Sequence, residues 1–305
     1  MNGDEIRSGF RVTSARKQLW QIELGILNVV DEICENNQLR YYLIGGSAIG
    51  AVRHGGFVPW DDDLDLGMLR SDFERFVELF DKENHSRYVM QYGAGLDNKT
   101  PGTFLRIRDP KTTGIIARQR NRKDFVHGVF IEIYIFDAVP ISERKRNIQR
   151  ILSAILKETL EERFDHRKAN GKIRWITPML RFVNTATLWR MWNKVCRHYE
   201  KKGTGLVDTV TMPQYMKNRL GQYKEDWFRD SVAVPFENQT AKVAIQNDEY
   251  LRCTYGDYMK LPPVELRGSH HNAVVFYDPY HAPEYYLDSD IPARYFAGES
   301  DLSII

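Results

Sequence analysis

The 305-residue sequence predicts an α+β fold, a mixed β-sheet flanked by helices, with a second helical region late in the chain. Three observations carry that prediction. Apolar residues recur at helical spacing over residues 16–37. An apolar strand over 40–44 runs into Gly45-Gly46-Ser47, and an acidic strand follows at 61–68. A further strand, Val129–Phe136, alternates Val129, Ile131, Ile133 and Ile135 with Phe130, Glu132 and Tyr134.

In the first helix Leu19, Ile22, Ile26, Val29, Val30 and Ile33 form the inward stripe. Gly45-Gly46-Ser47 reads as a strand-to-helix turn. Its glycines let backbone amides approach a phosphate, and the Ser47 hydroxyl caps the next helix or holds a phosphate oxygen. Ser71-Asp-Phe-Glu74 has capping-box form and opens a helix with Phe73, Phe76, Val77 and Phe80 inward. Phe104–Arg108 reads as another strand. Residues 141–205 read as mostly helical. From His166 to Lys202 there are ten Lys or Arg and one acid, Glu200, with Trp175, Trp189 and Trp192 interleaved. Basic residues with interleaved Trp suit an anionic membrane surface, an anionic glycan, or a solvated helical face with aromatic core anchors.

Strands usually avoid Asp. Asp61, Asp62, Asp63 and Asp65, with Leu64 and Leu66 threaded through them, need a cation to be tolerable. With Trp60–Met68 extended, Asp61, Asp63 and Asp65 share one face and Leu64 and Leu66 the other. Hard carboxylate oxygens suit Mg²⁺, with Mn²⁺ as the alternative, and such ions assist phosphoryl transfer. Glu132 is the best further carboxylate, and Asp137 the second choice. A solvated acidic turn is the plain alternative. A calcium loop fits poorly, because Leu66 stands where glycine is needed and Asp72 where Glu is needed.

Arg53, Arg106, Arg108 and Lys111 are candidate contacts for a diphosphate, which Arg holds bidentately; salt bridges to nearby carboxylates are the alternative. His54 belongs to donor binding or to structural capping. Trp60, Tyr92, Tyr134, Tyr255 and Tyr258 are available for an aromatic cage. His270, next to His271, is a candidate base for a hydroxyl proton, as is one of the carboxylates.

Composition bounds the partners. A net charge of +2 argues against a nucleic-acid binder. Cys34, Cys196 and Cys253 are widely spaced, which supports neither a disulfide framework nor a zinc site. The N-terminus has no apolar signal core and no run of 18 apolar residues occurs, so a cytoplasmic protein is expected.

Gly45-Gly-Ser47, Ala51-Val-Arg-His54, Gly56–Leu66 and Ile131–Asp137 together resemble the LicD family, a branch of the nucleotidyltransferase fold that also includes fukutin-related proteins. A later match runs from Tyr250 to Pro263, followed by His270 and His271. The resemblance implies a nucleotidyltransferase-like catalytic core over 1–140, completed by 236–305, around the basic helical region 141–235. It implies transfer of a phospho-alcohol, such as phosphocholine, from a CDP-activated donor to a hydroxyl of a cell-surface glycan or its lipid-linked precursor, with CMP leaving. Asp63 and Asp65 would be principal metal ligands, with Asp61 close by and Glu132 where the family more often shows Asp. A lipid-linked acceptor would place the enzyme at the inner membrane face. Transfer of the nucleotide itself, and a non-catalytic glycan or membrane adaptor, are the alternatives.

Overall fold

The computed structural model describes residues 3–83, 87–92, 104–122, 126–165, 171–213, 222–267, 275–286 and 289–296. In chain order, the strands β1 (Glu5–Arg7) and β2 (Phe10–Val12) precede α1 (Ser14–Asn36), β3 (Tyr42–Leu43) and α2 (Gly45–His54). Then come β4 (Asp65–Leu69), α3 (Arg70–Glu83), β5 (Val89–Gln91), β6 (Leu105–Asp109), β7 (Thr113–Ile116) and β8 (Val129–Ala138). The helices α4 (Glu143–Asp165) and α5 (Thr185–Cys196) follow. The rest comprises β9 (Leu206–Asp208), β10 (Tyr223–Lys224), β11 (Ser231–Phe236), β12 (Gln239–Ala244), α6 (Asn247–Tyr255), β13 (Val275–Asp278) and α7 (Ile291–Phe296).

The fold is α+β with a mixed sheet, as the sequence predicts. Its spine is β8, which runs parallel to β4 on one side. On the other side it pairs antiparallel with β6 and, at its C-terminal end, with β9. β3 extends the sheet beyond β4, β10 beyond β9, and β5 beyond β6. Separate hairpins form from β1 with β2, β11 with β12, and β13 with β7.

Amphipathicity explains the layering. Leu19, Ile26, Val30 and Ile33 of α1 are fully or almost fully buried, as are Phe73, Phe76 and Phe80 of α3. They cover the sheet face of β8, Leu19 packing with Val129 and the others sharing one core with Ile131, Ile133 and Ile135. A second core gathers Leu156 and Leu160 of α4 with Leu188, Trp189 and Trp192 of α5. Two of the three tryptophans of the basic region are thus core anchors, whereas Trp175 is exposed.

Two local expectations are corrected. The acidic strand begins only at Asp65; residues 61–64 are not strand. The Asp61 carbonyl accepts from Arg16 Nη1 (2.9 Å) and Trp20 Nε1 (3.1 Å), and its amide donates to the Val58 carbonyl, which leaves no place for a ladder partner. Likewise Ser71 does not cap α3, which starts one residue earlier at Arg70. Arg70 is instead buried in a bidentate pair with Asp137, at 2.7 and 2.9 Å.

Candidate active site

Strand register assembles the site. Asp65 pairs with Glu132 across β4 and β8, and Arg106 of β6 pairs with Glu132 from the other side. Alternation then places Glu132, Tyr134 and Phe136 on the face that carries Asp65. The Ser47 hydroxyl accepts the Asp65 amide (2.9 Å), and the Ile44 amide donates to the Asp65 carbonyl (3.0 Å). The start of the acidic strand is thereby tied to the start of α2.

The glycine turn meets these acids directly. Gly45 adopts φ +57°, a left-handed conformation that suits glycine. A Cβ on Gly45 would lie 3.5 Å from Asp65 Oδ2 and 3.6 Å from the Tyr255 hydroxyl. On Gly46 it would lie only 2.6 Å from Asp61 Oδ2. Beside the turn opens a cavity of about 380 Å³. Gly45, Gly46 and Asp65 line it, together with Tyr134, Tyr223, Tyr250 and Tyr255. The Gly45 amide donates to the Tyr250 hydroxyl (3.1 Å).

Charge in this cleft is under-compensated. Asp65 Oδ1 is buried with no hydrogen-bond partner, and burial followed by Asp63, Glu132 and Asp61 pushes its carboxyl well up from the usual range. Glu23 of α1 is fully buried and neither of its carboxylate oxygens has a hydrogen-bond partner. Burial, then Asp63, Asp62 and Asp65, pushes it up as well. Two orphaned carboxyl groups thus lie beside further aspartates, and carboxylate oxygens are the hard donors that divalent cations take. Among the described residues, no three or more His, Cys, Asp or Glu side chains converge as a metal site.

Glu132 is held on both oxygens. Arg106 donates to Oε1 (2.7 Å for the Nη2 contact), and the Tyr134 hydroxyl donates to Oε2 (2.6 Å). The Arg106 guanidinium lies between aromatic rings, 4.8 Å from Phe104 and 5.0 Å from Phe130.

Other residues singled out in the sequence lie elsewhere. Arg108 is fully buried; it donates to Gln91 Oε1 and to the carbonyls of Gly114 and Gly128. Burial and neighbouring Arg106 hold its pKa well below the ordinary value. Lys111 is exposed in the turn after β6. Arg53, at the far end of α2, donates to the carbonyl of Tyr258 (2.7 Å) and to His54 Nε2 (3.0 Å). His54 packs edge-on against buried Trp60. None of these five lines the tyrosine cavity, and neither do Tyr92 and Tyr258. Asp137 turns to the opposite sheet face, toward Arg70. His270 and His271 fall outside the described residues.

Sequence reasoning missed Glu23, Tyr223 and Tyr250. Glu23 carried a signal, because it lies four residues after Leu19 and three before Ile26, inside the buried stripe of α1. Tyr250 carried one too, because it opens the later family match, whereas Tyr223 carried none, since only the tertiary fold brings β10 to the glycine turn.

Comparison with known proteins gives a concordant picture. Residues 38–132 match the LicD/FKTN/FKRP nucleotidyltransferase domain. The lipopolysaccharide cholinephosphotransferase LicD of Haemophilus influenzae is 30% identical over 271 residues, 86% of this chain and 97% of that protein. The ribitol 5-phosphate transferases FKRP of mouse and human are each 37% identical over 76 residues, 25% of this chain and 15% of theirs.

Proposed function

The chain belongs to the LicD family, and from that premise we propose that it transfers a phospho-alcohol from a CDP-activated donor to a glycan hydroxyl. The acceptor is a cell-surface glycan or its lipid-linked precursor, and CMP is released. The observation that carries this reading is the meeting of the glycine turn and Asp65 at the tyrosine-walled cavity, with Asp61 packed against Gly46 beside it. A phosphate-approaching turn, a carboxylate cluster and an apolar chamber are the three parts such a donor requires.

Each part has a role. In the first turn of α2 the Gly45 amide is taken by the Tyr250 hydroxyl and the Ala48 amide by the Ile44 carbonyl, so the Gly46 and Ser47 amides would face the phosphates. Asp61, Asp63 and Asp65, with Glu132 beside them, would hold Mg²⁺ or Mn²⁺, which would neutralise charge on the diphosphate and on departing CMP. Arg106 and Tyr134 fix the Glu132 rotamer; Oε1 takes both Nε and Nη2 of Arg106, whereas Oε2 takes only the Tyr134 hydroxyl and keeps a second lone pair. Tyr134, Tyr223, Tyr250 and Tyr255 line the cavity with aromatic rings, the residue type that holds a trimethylammonium group, which favours phosphocholine over a polyol phosphate.

The acceptor oxygen attacks the phosphorus that bears the alcohol. A new phosphorus–oxygen bond forms, the bond to the bridging oxygen breaks, and CMP leaves with that electron pair. The hydroxyl proton passes to His270 or to a cleft carboxylate. Incubation with CDP-choline and a glycan acceptor should yield CMP and a phosphocholine-bearing glycan. Release of pyrophosphate from a nucleoside triphosphate, with no CMP from CDP-choline, would replace this reading with nucleotidyl transfer.

A further inference from the structure

The module built from α4, α5 and the short helical turns Gly171–Trp175 and Thr177–Leu180 contributes no residue to the tyrosine cavity. Its inner faces are satisfied by the second core. Its outer face is not. Ile148, Leu152 and Ile155 of α4, Ile176 and Met179 of the turns, and Met191 of α5 line an open apolar groove of about 680 Å³. Trp175, Met179 and Phe182 stand 72%, 77% and 83% exposed on the same module.

The charged residues that line this apolar groove are basic. Between Gly171 and Cys196 there are five Lys or Arg and no Asp or Glu. Lys145 and Lys194 line the groove, and no acidic side chain does. The Arg174 guanidinium lies 4.9 Å from the Trp175 ring, and that of Arg181 lies 4.6 Å from the Phe182 ring. Each protruding aromatic is thus paired with a cation.

We infer that this face docks on an anionic lipid bilayer, with Trp175, Met179 and Phe182 at the headgroup–acyl boundary and Arg174, Arg181 and Lys194 on lipid phosphates. Aromatic rings prefer that boundary, and long basic side chains reach from it to the phosphates. Anionic headgroups complement a groove whose charged lining residues, Lys145 and Lys194, are basic. A second copy of the chain is disfavoured as occupant, because a two-fold contact would press the basic rim against itself. Among the described residues no helix is long and apolar enough to cross a membrane, so the contact is peripheral.

The test is sedimentation of the purified full chain with vesicles of phosphatidylglycerol and phosphatidylethanolamine, and with vesicles of phosphatidylcholine alone. The expected result is binding to the anionic vesicles, at least tenfold weaker binding to neutral ones, and a loss of binding as salt rises. Trp175→Ser with Phe182→Ser should abolish it, and both side chains are exposed enough for the fold to survive, as circular dichroism will report. Binding of CDP-choline in solution should be unchanged in that variant, so docking and donor recognition are read separately. Equal binding to both vesicle types, unaltered binding by the variant, or self-association that the variant abolishes would overturn the inference.

Discussion

Glu23 is the residue on which the electrostatics of the cleft turn. A fully buried carboxyl with no hydrogen bond is costly, and its neighbours here are aspartates. A bound divalent cation offsets that cost, and binding to the folded state alone raises stability with ligand concentration. Glu23→Gln should therefore keep or raise the thermal midpoint without metal, and shrink the rise produced by Mg²⁺. An unaltered Mg²⁺ response would separate Glu23 from the metal. His54 makes a different prediction. Burial, reinforced by Arg53, lowers its pKa to about 4. Between about pH 6.5 and 4 the unfolded chain takes up a proton that the folded chain refuses, so stability falls as pH drops through that window. The side chain is half-exposed, so solvent screening keeps the slope shallow. Thermal midpoints from pH 7 to 4 should decline less steeply in His54→Gln than in the parent; identical slopes would contradict the assignment.

At the scale of elements, the α2–β4 junction and strand β8 define the site. Gly46→Ala would drive a Cβ to 2.6 Å from Asp61 Oδ2, the far end of a side chain. The fold should survive while Asp61 moves, and donor affinity should fall about tenfold or more, which is about 1.4 kcal/mol. Arg70→Ala should act in the opposite way. It strands a buried Asp137 carboxylate and should cost about 3–5 kcal/mol in chemical denaturation, while the folded fraction still binds donor. The same strand shows what the sequence could and could not reveal. Period-two alternation correctly separates Glu132 from the isoleucine face, and the same parity puts Asp137 on the isoleucine side, away from the cleft. Arg108 also lies one strand over from Glu132, but nothing in its sequence neighbourhood marks it as fully buried. The alternating pattern of 61–68 overextends the strand, because Arg16 and Trp20, 45 and 41 residues away, bond the Asp61 carbonyl. Long-range partners of this kind leave no periodic trace.

For the whole molecule, β8 is the organising feature. It joins the site, on its β4 side, to the helical module, whose return strand β9 pairs with its C-terminal end. The Val139 amide donates to the Leu206 carbonyl (2.9 Å) just beyond that pairing, and Val139 packs in the second core. The module proposed to dock on lipid is thus carried by the same sheet that carries the acids. The family, the fold and the acidic motif were all legible in the sequence; the tyrosine cavity and the exposed apolar groove depend on tertiary neighbours and were not. The central claim is that one cleft recognises a CDP-activated phospho-alcohol through its carboxylates. Calorimetric titration with CDP-choline, with and without Mg²⁺, for the parent chain and for Asp65→Asn, tests it most directly. The account predicts Mg²⁺-dependent binding in the parent and its loss in Asp65→Asn; binding that ignores both Mg²⁺ and Asp65, or no binding by the parent, would contradict it.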